Sequence, residues 1–199
     1  MNVKAQDIDV AIAQPSTAVK PLASLHPAVL VVCASLFVAL CAHFSVPLPF
    51  SPVPFSMQDL AVLLVGLALG PALGCAALLL YLAEGAVGFP FFTPGPGGIA
   101  QLLGPTGGYL IAYPFVAYIA GAIFAKARQH KFLFALAACT VAQIVLFATG
   151  GFWLSLATHS LAHAALLGIV PFLPLAAVKI LLASTAATRF GIRGKQYKL

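Results

Sequence analysis

"LAVLLVGLALGPALGCAALLLYLAEGAVG", Leu60 to Gly88, carries a single charge, Glu84. The run is continuous in apolar residues and does not alternate with polar ones. Continuous runs of this length belong to helices in lipid, whereas membrane β-strands alternate. The run is broken once, at Gly70-Pro71. A proline inside a helix deletes one backbone hydrogen bond and collides with the preceding turn. Glycine reaches the backbone angles that a tight turn requires. The stretch therefore predicts two short apolar helices folded back at Gly70-Pro71 as a hairpin.

The rest of the chain agrees with a membrane setting. Of 199 residues, 62% are apolar and only 7% are charged, and the mean hydropathy is +1.06. Soluble domains run near ~25% charged, so these charges cannot cover a water-facing surface. The class is an all-α integral membrane protein, a compact bundle of six transmembrane helices with Gly/Pro-rich outer loops. The first span is expected at about Ala28 to Val46. The hairpin arms supply the second and third. The fourth runs from about Gly108 to Phe124, the fifth from Phe132 to about Leu156, and the sixth from Pro174 to about Thr188. Residues 1–27 read as a flexible cytoplasmic tail, 28–188 as the membrane domain and 189–199 as a basic cytoplasmic tail.

Three connections lie between these spans. "PLPFSPVPFSMQDL" holds prolines at 47, 49, 52 and 54, which forbid a helix there. "FPFFTPGPGGIAQLLGPTGGY", Phe89 to Tyr109, is too rich in Gly and Pro for one regular helix. "ATHSLAHAALLGIVPFLP" reads as a mixed connector. The net charge of +6 does not point to nucleic acid, because the cations are segregated. Lys4, Lys20, Lys126, Arg128, Lys131, Arg189, Arg193, Lys195 and Lys198 all lie in the tails or one short loop. With six spans this is a positive-inside pattern, with both termini cytoplasmic and the three Lys/Arg-free connections outside. The tails are also suited to anionic lipid.

Lys179 breaks the segregation. It sits in "PFLPLAAVKILLAS", Pro171 to Ser184, in the second turn of the last helix. A charge in hydrocarbon costs at least ~2.5–3.5 kcal/mol on insertion scales. Either the lysine snorkels to the headgroups or it faces a ligand. Asp59 and Glu84 are the charges near enough in depth to pair with it. Together with the irregular outer connections, Lys179 points to a pocket at the outer end of the bundle. Gln58 and Tyr109 are expected to add hydrogen bonds. Phe55, Phe91, Phe92 and Trp153 are expected to add apolar walls. "GPGG", including Gly98, and "GPTGG" are expected to let backbone approach the ligand.

Other patterns carry less. Neither Gly-rich loop is followed by the Gly-Lys-Ser/Thr of a phosphate-binding loop. His159 and His163 are spaced i, i+4, which a metal could use, but no metalloprotease glutamate accompanies them. With His43 they define an alternative reading as an intramembrane metalloenzyme. No nucleophile elbow or carboxylate pair is present, so no catalytic residue, cofactor or metal is expected. Cys33, Cys41, Cys75 and Cys139 lack metal or disulfide spacing. Ser35-xxx-Ala39 and Gly70-xxx-Gly74 are small-residue pairs suited to close helix packing, or to docking a partner.

"PVPFSMQDLAVLLVGLALGP", "YLAEGAVGFPFF", "GPTGGYL" and "PFLPLAAVK" occur in this order across nearly the whole membrane part. In combination they resemble the BioY family, the biotin-specific substrate-binding (S) components of energy-coupling-factor (ECF) transporters. The resemblance implies six helices and an outer biotin site. It also implies a transmembrane coupling protein and two ATP-binding subunits as partners, or a homo-oligomer if the chain works alone. Ser35 and Ala39 match the family's Ala-xxx-Ala docking pair. One motif departs. The family's Pro-Gly-Asp-x-x-Lys reads here Pro174, Leu175, Ala176, Ala177, Val178, Lys179, so an acceptor for a biotin N–H is lost. Asp59 and Glu84 are the candidates to replace it. A different small vitamin or a biotin relative is the alternative ligand.

Overall fold

The computed structural model describes residues 26–92, 95 and 97–190. Most of both tails, and Pro96, lie outside the described residues. The elements are α1 (Pro27–His43), β1 (Ser45–Leu48), β2 (Ser51–Ser56), α2 (Gln58–Val87), α3 (Gly98–Leu103), α4 (Gly107–Phe124), α5 (Lys131–Thr158), α6 (Leu161–Gly168) and α7 (Leu173–Arg189). A single 3-10 turn, Val170–Phe172, joins α6 to α7.

Helix α2 is continuous in hydrogen bonding but not in direction. Gly70 has φ 77 and ψ −176, outside the helical region. Gln58 Nε2, near the start of the element, donates to the Tyr81 hydroxyl, near its end, at 2.6 Å. A straight helix rises ~1.5 Å per residue, which would hold these side chains far apart. The element is the predicted hairpin, with arms 58–69 and 71–87. Gly121 of α4 packs against its bend. A Cβ there would stand 2.6 Å from Gly70 C and from Pro71 N. With this pair of arms, α1, α4, α5 and α7 complete the six expected segments.

The ends match physical signals in the chain. Gly88, at φ 110, caps α2, its N–H directed at Glu84 O. Proline stands in the first turn of α1 and of α7, where its missing N–H has no intrahelical partner to lose. The first span ends at His43, sooner than expected, because the chain then turns into a β-ribbon. Ser45 pairs with Ser56 and Val46 with Phe55. Four prolines are tolerated because a two-stranded ribbon is all edge, so an N–H can be missing from its outer side. The expected mixed connector holds α6.

The buried core is built from Leu63, Leu67, Leu73, Leu78, Val116, Phe124 and many alanines. Large apolar residues such as Leu40, Phe115, Ile144 and Leu181 are exposed, as a lipid-facing bundle requires. Among the described residues, the cysteines are all free.

Small residues on α1 face inward. Ser35 and Ala39 are buried, and the Ser35 hydroxyl donates to Glu84 Oε2. Of the two readings open for this pair, the burial fits close internal packing. The serine gives a partner to a carboxylate that lipid could not solvate. The free face of α1 is instead Val29, Val32, Leu36, Phe37 and Leu40.

Candidate ligand-binding site

At one end of the bundle β2, the start of α2, α4, α5 and the start of α7 enclose a cavity. The space not filled by protein atoms, mouth included, is about 590 Å³. The basic loop between α4 and α5 lies at the far end of α4, an 18-residue helix.

Lys179 projects into this cavity from α7. Its side chain is 5% exposed. The ammonium donates to Asp59 Oδ1 at 2.5 Å and to the Ser56 carbonyl at 2.5 Å. Of the two expected partners, Asp59 is therefore the one. Glu84 is committed to Ser35. Asp59 lies in the first turn of α2, where the helix dipole favours a carboxylate. An ammonium has three N–H donors and a carboxylate has two oxygens. One N–H of Lys179 and the Oδ2 of Asp59 remain for a third group.

Several expected residues do meet here. Lys179, Asp59, Gln58 and Tyr109 all line the cavity. Two of them are partly committed. Gln58 holds Tyr81, whose hydroxyl in turn donates to the Phe91 carbonyl at 3.0 Å. The Tyr109 hydroxyl donates to Gly168 O at 2.8 Å. It ties α4 to α6, and Tyr109 forms part of the cavity wall.

The other expected residues stand behind or beside the wall. Phe55 lies outside the lining and meets Phe172, which is part of it, edge-to-face at 4.8 Å between centroids. Phe92 packs edge-on against Tyr81 at 5.5 Å, and Phe91 contributes its carbonyl to the same tyrosine. Both steady α2 from outside the cavity. Trp153 is spent on helix packing, where its Nε1 donates to Gly104 O at 3.0 Å. The glycines of "GPTGG" serve that packing. A Cβ on Gly107 would stand 3.2 Å from Trp153 Nε1, and one on Gly108 would overlap Trp153 Cβ. Gly98, at φ 59, opens α3 and is not part of the cavity lining. Gly107 and Gly108 thus admit protein backbone and ring.

Sequence reasoning passed over Tyr113, Gln143, Leu146 and Phe172, all in the lining. Tyr113 and Leu146 look like ordinary apolar-face residues. Gln143 did carry a signal, as a primary amide in the middle of "ACTVAQIVLFA", where lipid offers it no partner. His159 caps α5 in the left-handed region and His163 donates its N–H to Ser160. Among the described residues no cluster of three His, Cys, Asp or Glu could hold a metal.

The family model described as "BioY family" matches residues 14–194. The chain belongs to the BioY family. Curated BioY relatives align along most of their length. A protein of Pyrococcus horikoshii named "Probable biotin transporter BioY" is 38% identical over 78% of this chain and 91% of its own. The "Biotin transporter BioY" of Thermotoga maritima is 33% identical over 72% of this chain and 84% of its own. Among solved structures, "Crystal structure at 2.1 A of the S-component for biotin from an ECF-type ABC transporter" superposes with a TM-score of 0.75 at 26% identity. It covers 83% of this chain and 90% of that one. BioY membership makes this chain a multi-pass membrane transport protein and not an enzyme, which removes the metalloenzyme reading.

Proposed function

We propose that this chain captures biotin from outside the cytoplasmic membrane and delivers it as the S component of an ECF transporter. The observation that carries the reading is the buried Lys179–Asp59 pair facing a cavity otherwise lined mainly by apolar side chains. Biotin has a neutral bicyclic ring with a urea, an apolar chain and a terminal carboxylate. The pair offers the urea one donor, from Lys179, and one acceptor, from Asp59. Asp59 thereby replaces the aspartate that Ala176 does not supply. The rings of Tyr109, Tyr113 and Phe172 with Leu146 supply apolar contact for the bicycle and chain. Because Asp59 already balances Lys179, the inner wall favours a neutral polar ring over a carboxylate.

The segregated cations support an orientation with Lys126, Arg128 and Lys131 inside and the cavity outside. A transmembrane coupling protein and two ATP-binding subunits are the partners this reading implies, and α1's free face is where a coupling protein would meet the bundle.

Calorimetric titration of biotin into detergent-purified protein, beside Lys179→Ala, tests the proposal. Intact protein is expected to bind tightly, and the variant to lose about tenfold or more. Failure of the folded intact protein to bind biotin refutes the ligand. A screen of other small vitamins would then identify the right one.

A further inference from the structure

Gln143 is 3% exposed and lines, from α5, the same cavity as Lys179 of α7 and Asp59 of α2. Neither its Nε2 nor its Oε1 has a hydrogen-bond partner among the described residues. A buried amide with both ends unpaired costs free energy, and apolar side chains of equal size are easily placed in a lipid-embedded helix. Its neighbours along the cavity wall, Leu146 and Phe147, offer it nothing polar.

The amide's chemistry restricts what would satisfy it. It presents one acceptor beside one donor. A carboxylate only accepts and would leave Oε1 orphaned. An ammonium only donates and would leave Nε2 orphaned. A cis N–H/C=O edge satisfies both at once, as in amide pairing. A cyclic urea has two such edges. We propose that Gln143 reads one edge of the ligand's urea, while Lys179 and Asp59 read the other. This inference rests on the biotin reading above. All four polar valences of the urea are then met: two N–H by Gln143 Oε1 and Asp59, two carbonyl lone pairs by Gln143 Nε2 and Lys179. Gln143 thereby sets specificity for an intact urea.

The test uses full-length protein in detergent, with biotin and its two mono-N-methyl ureido derivatives as probes. The variant is Gln143→Leu, with Gln143→Met as a second apolar replacement. Wild type is expected to bind biotin and to lose about tenfold or more on either methylation. Gln143→Leu is expected to bind biotin about tenfold or more weakly, and to become indifferent to one of the two methylations. Its ligand-free melting midpoint is expected to equal or exceed that of wild type, since an unpaired buried amide has been removed. Undiminished biotin binding by both variants overturns the inference while leaving the biotin reading intact. So does a full methylation penalty at both positions in the variants, or a clear fall in the ligand-free midpoint, which would assign Gln143 a structural role. Failure of wild type to bind biotin overturns the ligand reading and the urea assignment with it.

Discussion

Replacing Lys179 by methionine and Asp59 by asparagine, singly and together, measures what holds the cavity. Lys179→Met removes an ammonium with two hydrogen bonds of 2.5 Å, to Asp59 and to the Ser56 carbonyl. It leaves a carboxylate that is only 16% exposed facing an apolar side chain. Breaking one partner of a buried pair costs ~3–5 kcal/mol. The residual exposure of Asp59 lowers this to ~2–3 kcal/mol, because water screens what it reaches. Asp59→Asn strands the ammonium, which is more deeply buried, and is expected to cost somewhat more. The double variant buries no charge and loses only hydrogen bonds, at ~1–2 kcal/mol. The single variants should therefore melt ~5–10 °C below wild type, and the double variant should recover about half of that loss. Trp153 is the sole tryptophan, and its fluorescence in detergent reports the transition. Single losses that simply add in the double variant would refute the reasoning, since the two charges would then not be coupled.

Gly121→Ala is expected to destabilise the bundle by ~1–3 kcal/mol, because the new Cβ meets the backbone of the Gly70-Pro71 bend, which cannot rotate away. A lowered melting midpoint checks it. Tyr81→Phe strands Gln58 Nε2 and the Phe91 carbonyl and should cost ~1–3 kcal/mol in the same melt. Trp153→Phe loses the bond to Gly104 and should cost ~1 kcal/mol of stability, yet leave biotin affinity in calorimetry unchanged, because the ring is not part of the cavity. Phe172→Ala is expected to do the reverse and weaken binding.

Much of the fold was legible because lipid imposes simple rules. A span must be apolar and helical, and a Gly-Pro pair must turn, so the six segments and the bend at Gly70 follow from residue type alone. Lys179 was legible for the same reason, since a charge in hydrocarbon demands a partner. The β1–β2 ribbon was hidden because its prolines, which exclude helix, also weaken every strand signal. The aromatic walls were harder to place. Phe91 and Phe92 belong to an irregular outer segment and Trp153 to the fifth span, and aromatic rings pack equally well on helices. Which side of a ring meets ligand is decided by tertiary contacts such as Tyr81 on Phe92 and Gly108 on Trp153. Ser35-xxx-Ala39 has the same ambiguity, since small residues serve an internal seam and an external one alike. Gln143 was passed over because one amide in a long apolar span resembles a tolerated exception until its unpaired atoms are seen.

The Lys179–Asp59 pair also has an electrical consequence. A transmembrane voltage acts on each unpaired elementary charge with ~2.3 kcal/mol per 100 mV. Opposite charges 2.5 Å apart move through that field together and exchange no net work with it. The pair itself would therefore add no net charge movement to a displacement of the bundle, and any voltage dependence would come from other charges, such as Glu84 or that of the cargo.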